Sequence, residues 1–333
     1  MRLIRNYDVA SYYPHLMTID GYTSRNIPNP QTYADMLEER IKAKKSGDKK
    51  TANALKLVAN TTYGAMLNKY NDLYDPLMGR SVCITGQLRL LELANHLCAV
   101  CSTLKVIQLN TDGIMISFEE QEYPAVQEIV QEWQDRTGFE LEEDKISAII
   151  QKDVNNYIEI AEGGSVKAKG GMLVRGIAQA GAFNINNNAP IIAKAVAEYL
   201  AKGTHIEDTI NSATDILDFQ LIAKASGKYK AVYHIVNGER VPVQRCNRVY
   251  AAKDWLKGTL VKVHKETGKE EKISGLPTRC VIDNANELTL DAVNKEWYIN
   301  QAYDNAKAFL GAKKSTTGQL TRKMKNLLKL LEN

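Results

Sequence analysis

The sequence predicts an α+β fold in which an antiparallel sheet packs against helices. Two observations support this class: apolar residues have helical spacing over residues 29–69 and 82–102, and they alternate with a period of two over residues 105–118. A content of 44% hydrophobic and 25% charged residues excludes a disordered or collagen-like chain. The length of 333 residues corresponds to two domains, or to one large domain with an appendage.

The first predicted elements are a strand and a helical hairpin. The strand covers residues 3–9 and brings Asp8 near its end, ahead of a proline that favours a change of direction. The first helix begins at Asn29-Pro30, a capping side chain followed by a first-turn proline, and ends at Ser46-Gly47. The second helix runs from about residue 50 to 69. Its expected inner positions are Leu55, Val58, Thr62 and Met66.

A third helix and a sheet follow. The helix, residues 82–102, is so apolar that we expect it to be buried against the sheet. Asp112 and Gly113 lie in a tight turn between two strands, so Asp112 is at a hairpin tip. The predicted strands are 105–109, 114–118, 146–151, 156–161 and 166–169, with an acidic helix over 124–137. We expect the acidic stretch 119–144 to be a solvated surface.

The remainder of the chain differs in pattern and predicts a second domain that starts near residues 175–190. Its short strands are separated by glycines between residues 218 and 282. The predicted helices are 189–201, 206–212, 290–310 and 316–331.

Composition and targeting signals exclude few functions. Lys and Arg number 43 and Asp and Glu 39, and the net charge of +4 is too small to indicate a partner. No segment has the roughly 20 apolar residues of a membrane span, and the N-terminus lacks the apolar stretch of a signal peptide. Five scattered cysteines favour reduced thiols. We therefore expect a cytoplasmic protein without a membrane partner.

Two aspartates are candidate metal ligands. Asp8 lies where a strand meets a helix start, and from there a carboxylate and nearby carbonyl groups can face Mg²⁺. Asp112 is at the hairpin tip. Each also has a simpler interpretation, because aspartates commonly cap turns or form them without binding anything.

Two helical faces are candidate nucleotide-binding surfaces. Lys56, Asn60 and Tyr63 share one face, which offers a cation, an amide and an aromatic ring. Arg40 and Lys44 add two cations on the preceding helix. A solvated basic face is the alternative for either helix.

In order and spacing, these segments resemble the motifs of family B DNA polymerases. The first palm motif, Asp-x-x-Ser-Leu-Tyr-Pro, is matched by Asp8, Ser11, Tyr13 and Pro14, with Tyr12 in place of leucine. The fingers motif, Lys-x-x-x-Asn-Ser-x-Tyr-Gly, is matched by Lys56, Asn60, Tyr63 and Gly64, with Thr61 in place of serine. The Arg-x-x-x-Lys of the other fingers helix is matched by Arg40 and Lys44, and the second palm motif, Asp-Thr-Asp, is present as Asn110-Thr111-Asp112.

The resemblance implies a function and a role for each matched residue. The chain would be a DNA polymerase that adds deoxynucleotides from dNTPs to the 3′-hydroxyl of a primer on template DNA. Asp8, Asp112 and Val9 would hold two Mg²⁺ ions, which Mn²⁺ could replace. The residues that would bind or position the triphosphate are Arg40, Lys44, Lys56 and Asn60. Tyr13 would pack under the sugar and exclude a 2′-hydroxyl, and Tyr63 would lie beside the nascent base pair.

The same resemblance implies a domain layout. The palm would comprise residues 1–30 and 70–180, with the fingers inserted as a helical hairpin over 31–69. A thumb of mixed α/β structure would follow over 181–333. Lys152 and Tyr157 would grip the primer, as would the Lys169-Gly170 turn. Basic residues of the thumb would contact DNA phosphates: Lys224, Lys228, Lys230, Arg245, Arg248, Lys313, Lys314, Arg322 and Lys325.

Two departures from the family pattern keep alternatives open. Asn110 replaces the first aspartate of the second palm motif, from which we expect slower or metal-selective catalysis. Only seven residues precede Asp8, so we expect no proofreading exonuclease here and consider a separate exonuclease-bearing polypeptide as a partner. The alternative function is a non-catalytic DNA-binding remnant of a polymerase. Either protein would act in the cytoplasm of a bacterial or phage-infected cell.

Overall fold

The computed structural model describes residues 1–173, 189–253 and 257–310, which form two compact α+β units. The units divide between Ser147 and Ala148, earlier in the chain than the predicted boundary at 180/181. That predicted boundary, like the predicted helix 316–331, lies outside the described residues. None of the described helices is long and apolar enough to cross a membrane.

The first unit is built on an antiparallel sheet with the order β2-β3-β1-β4. Its strands are β1 (Arg2–Val9), β2 (Lys105–Leu109), β3 (Gly113–Glu119) and β4 (Leu141–Asp153). Asp8 on β1 pairs with Gly113 on β3 and with Glu142 on β4. Both predicted hairpin strands are confirmed. Strand β4 begins five residues before the predicted position 146, which brings part of the acidic stretch into the sheet.

Five helices complete the first unit: α1 (Tyr12–Ile19), α2 (Pro30–Ser46), α3 (Lys49–Met66), α4 (Pro76–Val100) and α5 (Tyr123–Thr137). The predicted limits of α2 are confirmed, because the Asn29 side chain accepts from the amide of Gln31 and Gly47 ends the helix with a φ of 81°. Asp48 and Asp75 cap α3 and α4 in the same way.

The core of the first unit lies among the sheet and the helices α1, α4 and α5. The largest side chains of this cluster include Tyr7, Leu16, Leu90, Leu97, Phe118 and Trp133. Helix α4 is only partly buried, which corrects the expected full burial: Leu77, Ile84 and Leu88 are each more than half exposed.

The buried face of α3 also differs from the predicted one. Val58 is 48% exposed, whereas its neighbour Ala59 is buried. The reason is the close packing of the hairpin, in which the hydroxyl of Tyr33 on α2 donates to the carbonyl of Ala59 at 3.1 Å. A small residue at position 59 allows this approach, and Met66, another predicted inner position, is buried as expected.

A clamp closes the base of the α2–α3 hairpin. The guanidinium of Arg25, just before the hairpin, donates to both carboxylate oxygens of Asp75 at 2.8 and 2.9 Å. Asn26 donates to the carbonyls of Asp72 and Tyr74. Asp75 is buried, and the hydrogen bonds from Arg25 hold the pKa of its carboxyl well below the ordinary range.

The second unit contains a β-ladder, two further sheets and a helical layer. The end of β4 continues into β5 (Asn156–Ala161) and β6 (Val166–Lys169). A three-stranded sheet has the order β13-β10-β7 and a four-stranded sheet the order β12-β11-β8-β9. These strands are β7 (Leu221–Lys224), β8 (Tyr229–Val236), β9 (Glu239–Val243), β10 (Cys246–Tyr250), β11 (Thr259–His264), β12 (Glu270–Lys272) and β13 (Val281–Ile282).

Three helices pack among the described residues of the second unit: α6 (Pro190–Lys202), α7 (Ile206–Asn211) and α8 (Lys295–Phe309). They agree with the sequence prediction, except that α8 begins later than the predicted residue 290. A separate 3-10 turn, Leu290–Ala292, occupies the start of that predicted helix. The core of this unit includes Phe219, Tyr250 and Tyr298.

Candidate active site

A cavity of about 520 Å³ lies in the first unit and collects residues from distant parts of the chain. Every site residue predicted within this unit lines it. The lining residues are Asp8, Val9, Ala10, Ser11, Tyr12, Tyr13, Pro14, Arg40, Lys44, Lys56, Asn60, Tyr63, Thr111, Asp112 and Glu142. The cavity therefore combines the end of β1, the β2–β3 turn and one face of the helical hairpin.

The two predicted carboxylates lie at one corner of the sheet. The amide of Val9 donates to the carbonyl of Asp112 at 2.7 Å, which ties the end of β1 to the β2–β3 turn. The Asn6 side chain donates to Asp8 Oδ2 at 2.9 Å. Asp8 is half-buried and Asp112 is exposed. We call Asp8, Asp112 and the backbone of Val9 the carboxylate corner.

Gly113 is required for this corner. A Cβ atom at residue 113 would lie 2.1 Å from Asp8 Oδ1 and 2.7 Å from the carbonyl oxygen of Tyr7. Real Cβ atoms do not come this close to other atoms, so a side chain would have to move Asp8 or separate β1 from β3. The glycine of the Asp-Gly turn thus makes room for the aspartate on the neighbouring strand.

Asn110 closes the β2–β3 turn from the other side. Its amide donates to the carbonyl of Gly113 at 2.8 Å, and its side chain is half-buried. Asn110 does not line the cavity. The expected effect of its missing charge on catalysis stays a prediction.

The cations of the cavity come from the hairpin. Arg40 on α2 donates from Nη1 to Ser11 Oγ, and Ser11 has a left-handed φ of 53°. A second guanidinium nitrogen, Arg40 Nε, is buried and has no hydrogen-bond partner among the described residues. Lys56 on α3 and Lys44 on α2 are exposed side chains that face the same cavity. A buried donor without a partner is unusual in native proteins.

Glu142 is a site residue that the sequence analysis missed. It is directly opposite Asp8 in the β1–β4 ladder, and its Oε1 lies 2.7 Å from Lys44 Nζ. Both side chains of this ion pair are more than half exposed, so it contributes little to stability. The signal that would have found Glu142 is an earlier start of β4, since the sequence analysis placed residues 119–144 on a solvated surface.

Two tyrosines form an aromatic wall of the cavity. The rings of Tyr13 and Tyr63 meet edge to face, with centroids 4.8 Å apart. Burial, a hydrogen bond with Cys83 and the charge of Asp112 together raise the pKa of Tyr13 to about 12. Burial and the same thiol raise the pKa of Tyr63 as well. Both hydroxyls are therefore protonated at neutral pH.

The predicted primer-gripping residues lie in the second unit. Lys152 Nζ is 2.8 Å from Asp153, whose pKa this contact and the Asn156 side chain lower to about 2. Tyr157 is buried and pairs across β5 and β6 with Lys169, whose Nζ lies 5.6 Å from the centre of the Tyr157 ring. Gly170 has a φ of 101° and packs against Asn155.

These local contacts account for the conformation of that segment, and its role toward DNA stays a prediction. Among the predicted phosphate-binding residues of the thumb, Lys313, Lys314, Arg322 and Lys325 lie outside the described residues. Arg248, which is described, donates to the carbonyl of Asn284.

Two comparisons with known proteins return no match. No protein-family model matches the chain. A search of curated proteins finds no match either. In the described ranges, no group of three or more His, Cys, Asp or Glu is arranged to hold a metal ion.

Proposed function

We propose that this chain is a template-directed DNA polymerase that transfers deoxynucleotidyl groups from dNTPs to a primer 3′-hydroxyl. The observation that carries the proposal is the cavity, in which two carboxylates at a sheet corner face the cations of a helical hairpin. Its volume of about 520 Å³ is within the range of small-molecule sites, roughly 300–1,000 Å³.

The carboxylate corner has the donor chemistry that a hard divalent cation requires. Asp8 and Asp112 supply carboxylate oxygens, and Gly113 keeps the space beside Asp8 clear of a side chain. We assign Mg²⁺, with Mn²⁺ as a substitute, to Asp8, Asp112 and the backbone of Val9. When bound, the metal would make the primer hydroxyl more acidic and neutralise charge on the triphosphate.

The hairpin cations suit the triphosphate. Arg40 lines the cavity from α2, and its guanidinium would donate to a phosphate oxygen there. Lys56 reaches the cavity from α3, one helical turn from Asn60. Lys44 would exchange Glu142 for phosphate, which costs little because their ion pair is exposed.

The tyrosine wall suits the nucleoside. Tyr13 follows the carboxylate corner on α1, and Tyr63 is one turn beyond Asn60 on α3. Sugar and base would pack against these rings while the phosphates face the cations. The wall also limits the width of the cavity beside the sugar, in line with the expected exclusion of a 2′-hydroxyl.

In the proposed reaction, the chain's residues bind and orient the reactants. The primer 3′-oxygen forms a bond to the α-phosphorus, and the bond from that phosphorus to the bridging oxygen breaks. Pyrophosphate leaves with the electron pair, and the hydroxyl proton passes to water. Such phosphoryl transfer needs in-line positioning and charge stabilisation, without a covalent step on the protein.

Primer extension on a templated 5′ overhang tests the proposal. We expect Asp8→Asn and Asp112→Asn each to lower the rate at least about 100-fold, a typical effect of losing one group that stabilises charge in the transition state. Asp35→Asn is the matched control, because Asp35 is an exposed aspartate on α2 that does not line the cavity. Extension at the wild-type rate by either site variant would refute the assignment.

The second candidate function is a DNA-binding remnant without turnover, and the neutral Asn110 in the β2–β3 turn favours it. A shift assay on the same primer-template distinguishes the two. Binding without extension by the wild-type chain, in Mg²⁺ and in Mn²⁺, supports the remnant. A wild-type chain that neither binds nor extends the primer-template would exclude both functions.

An exonuclease-bearing partner is a further proposal, to be tested by co-purification from the source cell.

A further inference from the structure

Cys83 on α4 contacts both tyrosines of the aromatic wall. Its Sγ lies 2.6 Å from the hydroxyl oxygen of Tyr63 and 3.9 Å from that of Tyr13. The three residues come from three helices, since Tyr13 is on α1 and Tyr63 on α3. Cys83 does not line the cavity, so it lies behind the wall.

A close helix contact brings the thiol to this place. Gly86, three residues after Cys83, accepts a 2.7 Å hydrogen bond from the Tyr12 hydroxyl through its carbonyl. A Cβ at residue 86 would lie 3.0 Å from Leu16 Cδ1 and 3.3 Å from the Tyr12 ring. Residues three apart share a helix face. The contact of α4 with α1 at Gly86 therefore also sets the position of Cys83 relative to Tyr13.

The thiol is the shared polar partner of the two rings. Tyrosine hydroxyls are protonated at neutral pH, so each can donate to the sulfur, or the thiol can donate to one of them. The edge-to-face contact alone leaves a ring free to slide along its partner. The hydrogen bond between the Tyr63 hydroxyl and the Cys83 thiol opposes this sliding.

We propose that Cys83 is a positioning residue that fixes the two rings of the aromatic wall, Tyr13 and Tyr63. It thereby sets how tightly the cavity fits the sugar and base of a nucleotide. This inference rests on the proposed polymerase function and deepens it. Cys83 acts through Tyr63 and Tyr13 and touches no reacting atom. Its removal should change nucleotide affinity and sugar discrimination more than the rate of transfer.

Steady-state extension with dNTPs and with ribonucleotides, under reducing conditions, measures the effect. We expect Cys83→Ala to raise KM for dNTP about threefold to tenfold, the usual range for one hydrogen bond, while kcat changes less than twofold. The preference for deoxyribonucleotides should fall. Cys83→Ser retains a donor and acceptor, so it should restore most of both properties.

Cys98→Ala is the matched control, because Cys98 is an exposed cysteine on the same helix. Equal KM and sugar preference in wild type and Cys83→Ala would overturn the inference. So would equal defects in the alanine and serine variants, which would indicate a packing role. A wild-type chain that extends no primer would instead refute the proposed function.

A double-mutant cycle on the free energy of unfolding tests the contact between Cys83 and Tyr63 and does not require an active enzyme. Cys83→Ala and Tyr63→Phe each remove one partner, so their effects on the free energy of unfolding should be non-additive. Additive effects would show that the thiol and the hydroxyl do not interact in solution. That result would overturn the positioning role even if the KM of Cys83→Ala rises.

Discussion

The carboxylate corner and the helical hairpin supply opposite charges to one cavity. The two regions differ in how many of their residues are buried in the core. All residues of β3 except Glu119 are buried. In the hairpin, only Tyr33, Leu37 and Ala43 are buried on α2, and only Ala59 and Met66 on α3. The acidic groups are thus mounted on the core, and the cations on a lightly packed element.

This difference suits the proposed chemistry. Groups that orient reacting atoms must keep their geometry, and a buried ladder with fixed register provides that. Groups that capture a flexible triphosphate benefit from an element with few buried contacts, since such elements move most easily in native proteins. Substitutions in the two regions should therefore have different effects, on the rate of transfer at the carboxylate corner and on nucleotide binding at the helical hairpin.

The largest expected effect comes from disturbing the sheet corner. Gly113→Ala places a Cβ 2.1 Å from Asp8 Oδ1 and should lower the extension rate by about 100-fold or more, with a loss of stability from the strained β1–β3 pair. Gly64→Ala is the stability control, because an added Cβ there has no neighbour within 4 Å. Thermal melting and primer extension measure the two effects. A fully active Gly113→Ala protein would contradict the geometry of the corner.

Removing a hairpin cation should affect binding without unfolding the chain. We expect Lys56→Ala to raise KM for dNTP about 10-fold to 100-fold, which corresponds to one charge-assisted hydrogen bond. Its melting temperature should not change, because the side chain is exposed. Lys42→Ala is the control, since Lys42 pairs with Glu38 away from the cavity. Equal KM values for dNTP in the Lys56→Ala and Lys42→Ala variants would show that Lys56 does not bind the nucleotide.

The clamp at the hairpin base should contribute to stability. Asp75→Asn weakens the contact with Arg25 and the cap of α4. We therefore expect the free energy of unfolding to fall by about 2 kcal/mol at pH 7. Because the folded protein lowers the pKa of Asp75, this contribution is fully present above the unfolded pKa of about 4, declines below it and is lost as the pH falls through the lower folded pKa. Melting at pH 7 and pH 3 measures it.

The outcome at low pH is as informative as the one at pH 7. The wild type and Asp75→Asn should differ less at pH 3, whereas the exposed Asp72→Asn control should match the wild type at both values. A pH-independent difference would attribute the effect of Asp75→Asn to packing.

The smallest expected effect concerns the turn. Asn110→Asp adds a negative charge next to the carboxylate corner, and we expect a change of about fivefold in the ratio of the Mg²⁺ rate to the Mn²⁺ rate, equivalent to about 1 kcal/mol. The turn itself should persist, since its bond to Gly113 comes from the backbone amide. Unchanged rates with both metals would show that the asparagine is neutral.

Local signals allowed much of the first unit to be predicted. The α2 limits follow from Asn29 and Gly47, and the turn between β2 and β3 follows from Asp112-Gly113. These features depend on residues close together in sequence. The position of Glu142 depends on the pairing of β4 with β1, which lies more than 100 residues away. Such a register cannot be deduced from one strand alone.

Helix faces and domain limits illustrate the same restriction. The predicted helical period of α3 was correct. Packing against Tyr33 buries Ala59 rather than Val58. The spacing of apolar residues in one helix does not show which side chains its partner helix will contact. The division at Ser147 falls inside strand β4. A boundary within a continuous strand leaves no linker composition to detect.

The clamp of Arg25 on Asp75 has a practical consequence for engineering. The chain leaves the sheet-bearing body and returns to it at points that one side chain can span, so the hairpin is topologically an insert. A short glycine linker between these points would delete the hairpin cations Arg40, Lys44 and Lys56 and leave Asp8 and Asp112 in the chain. Conversely, helical hairpins of other length or charge could be inserted between the same two points, Arg25 and Asp75.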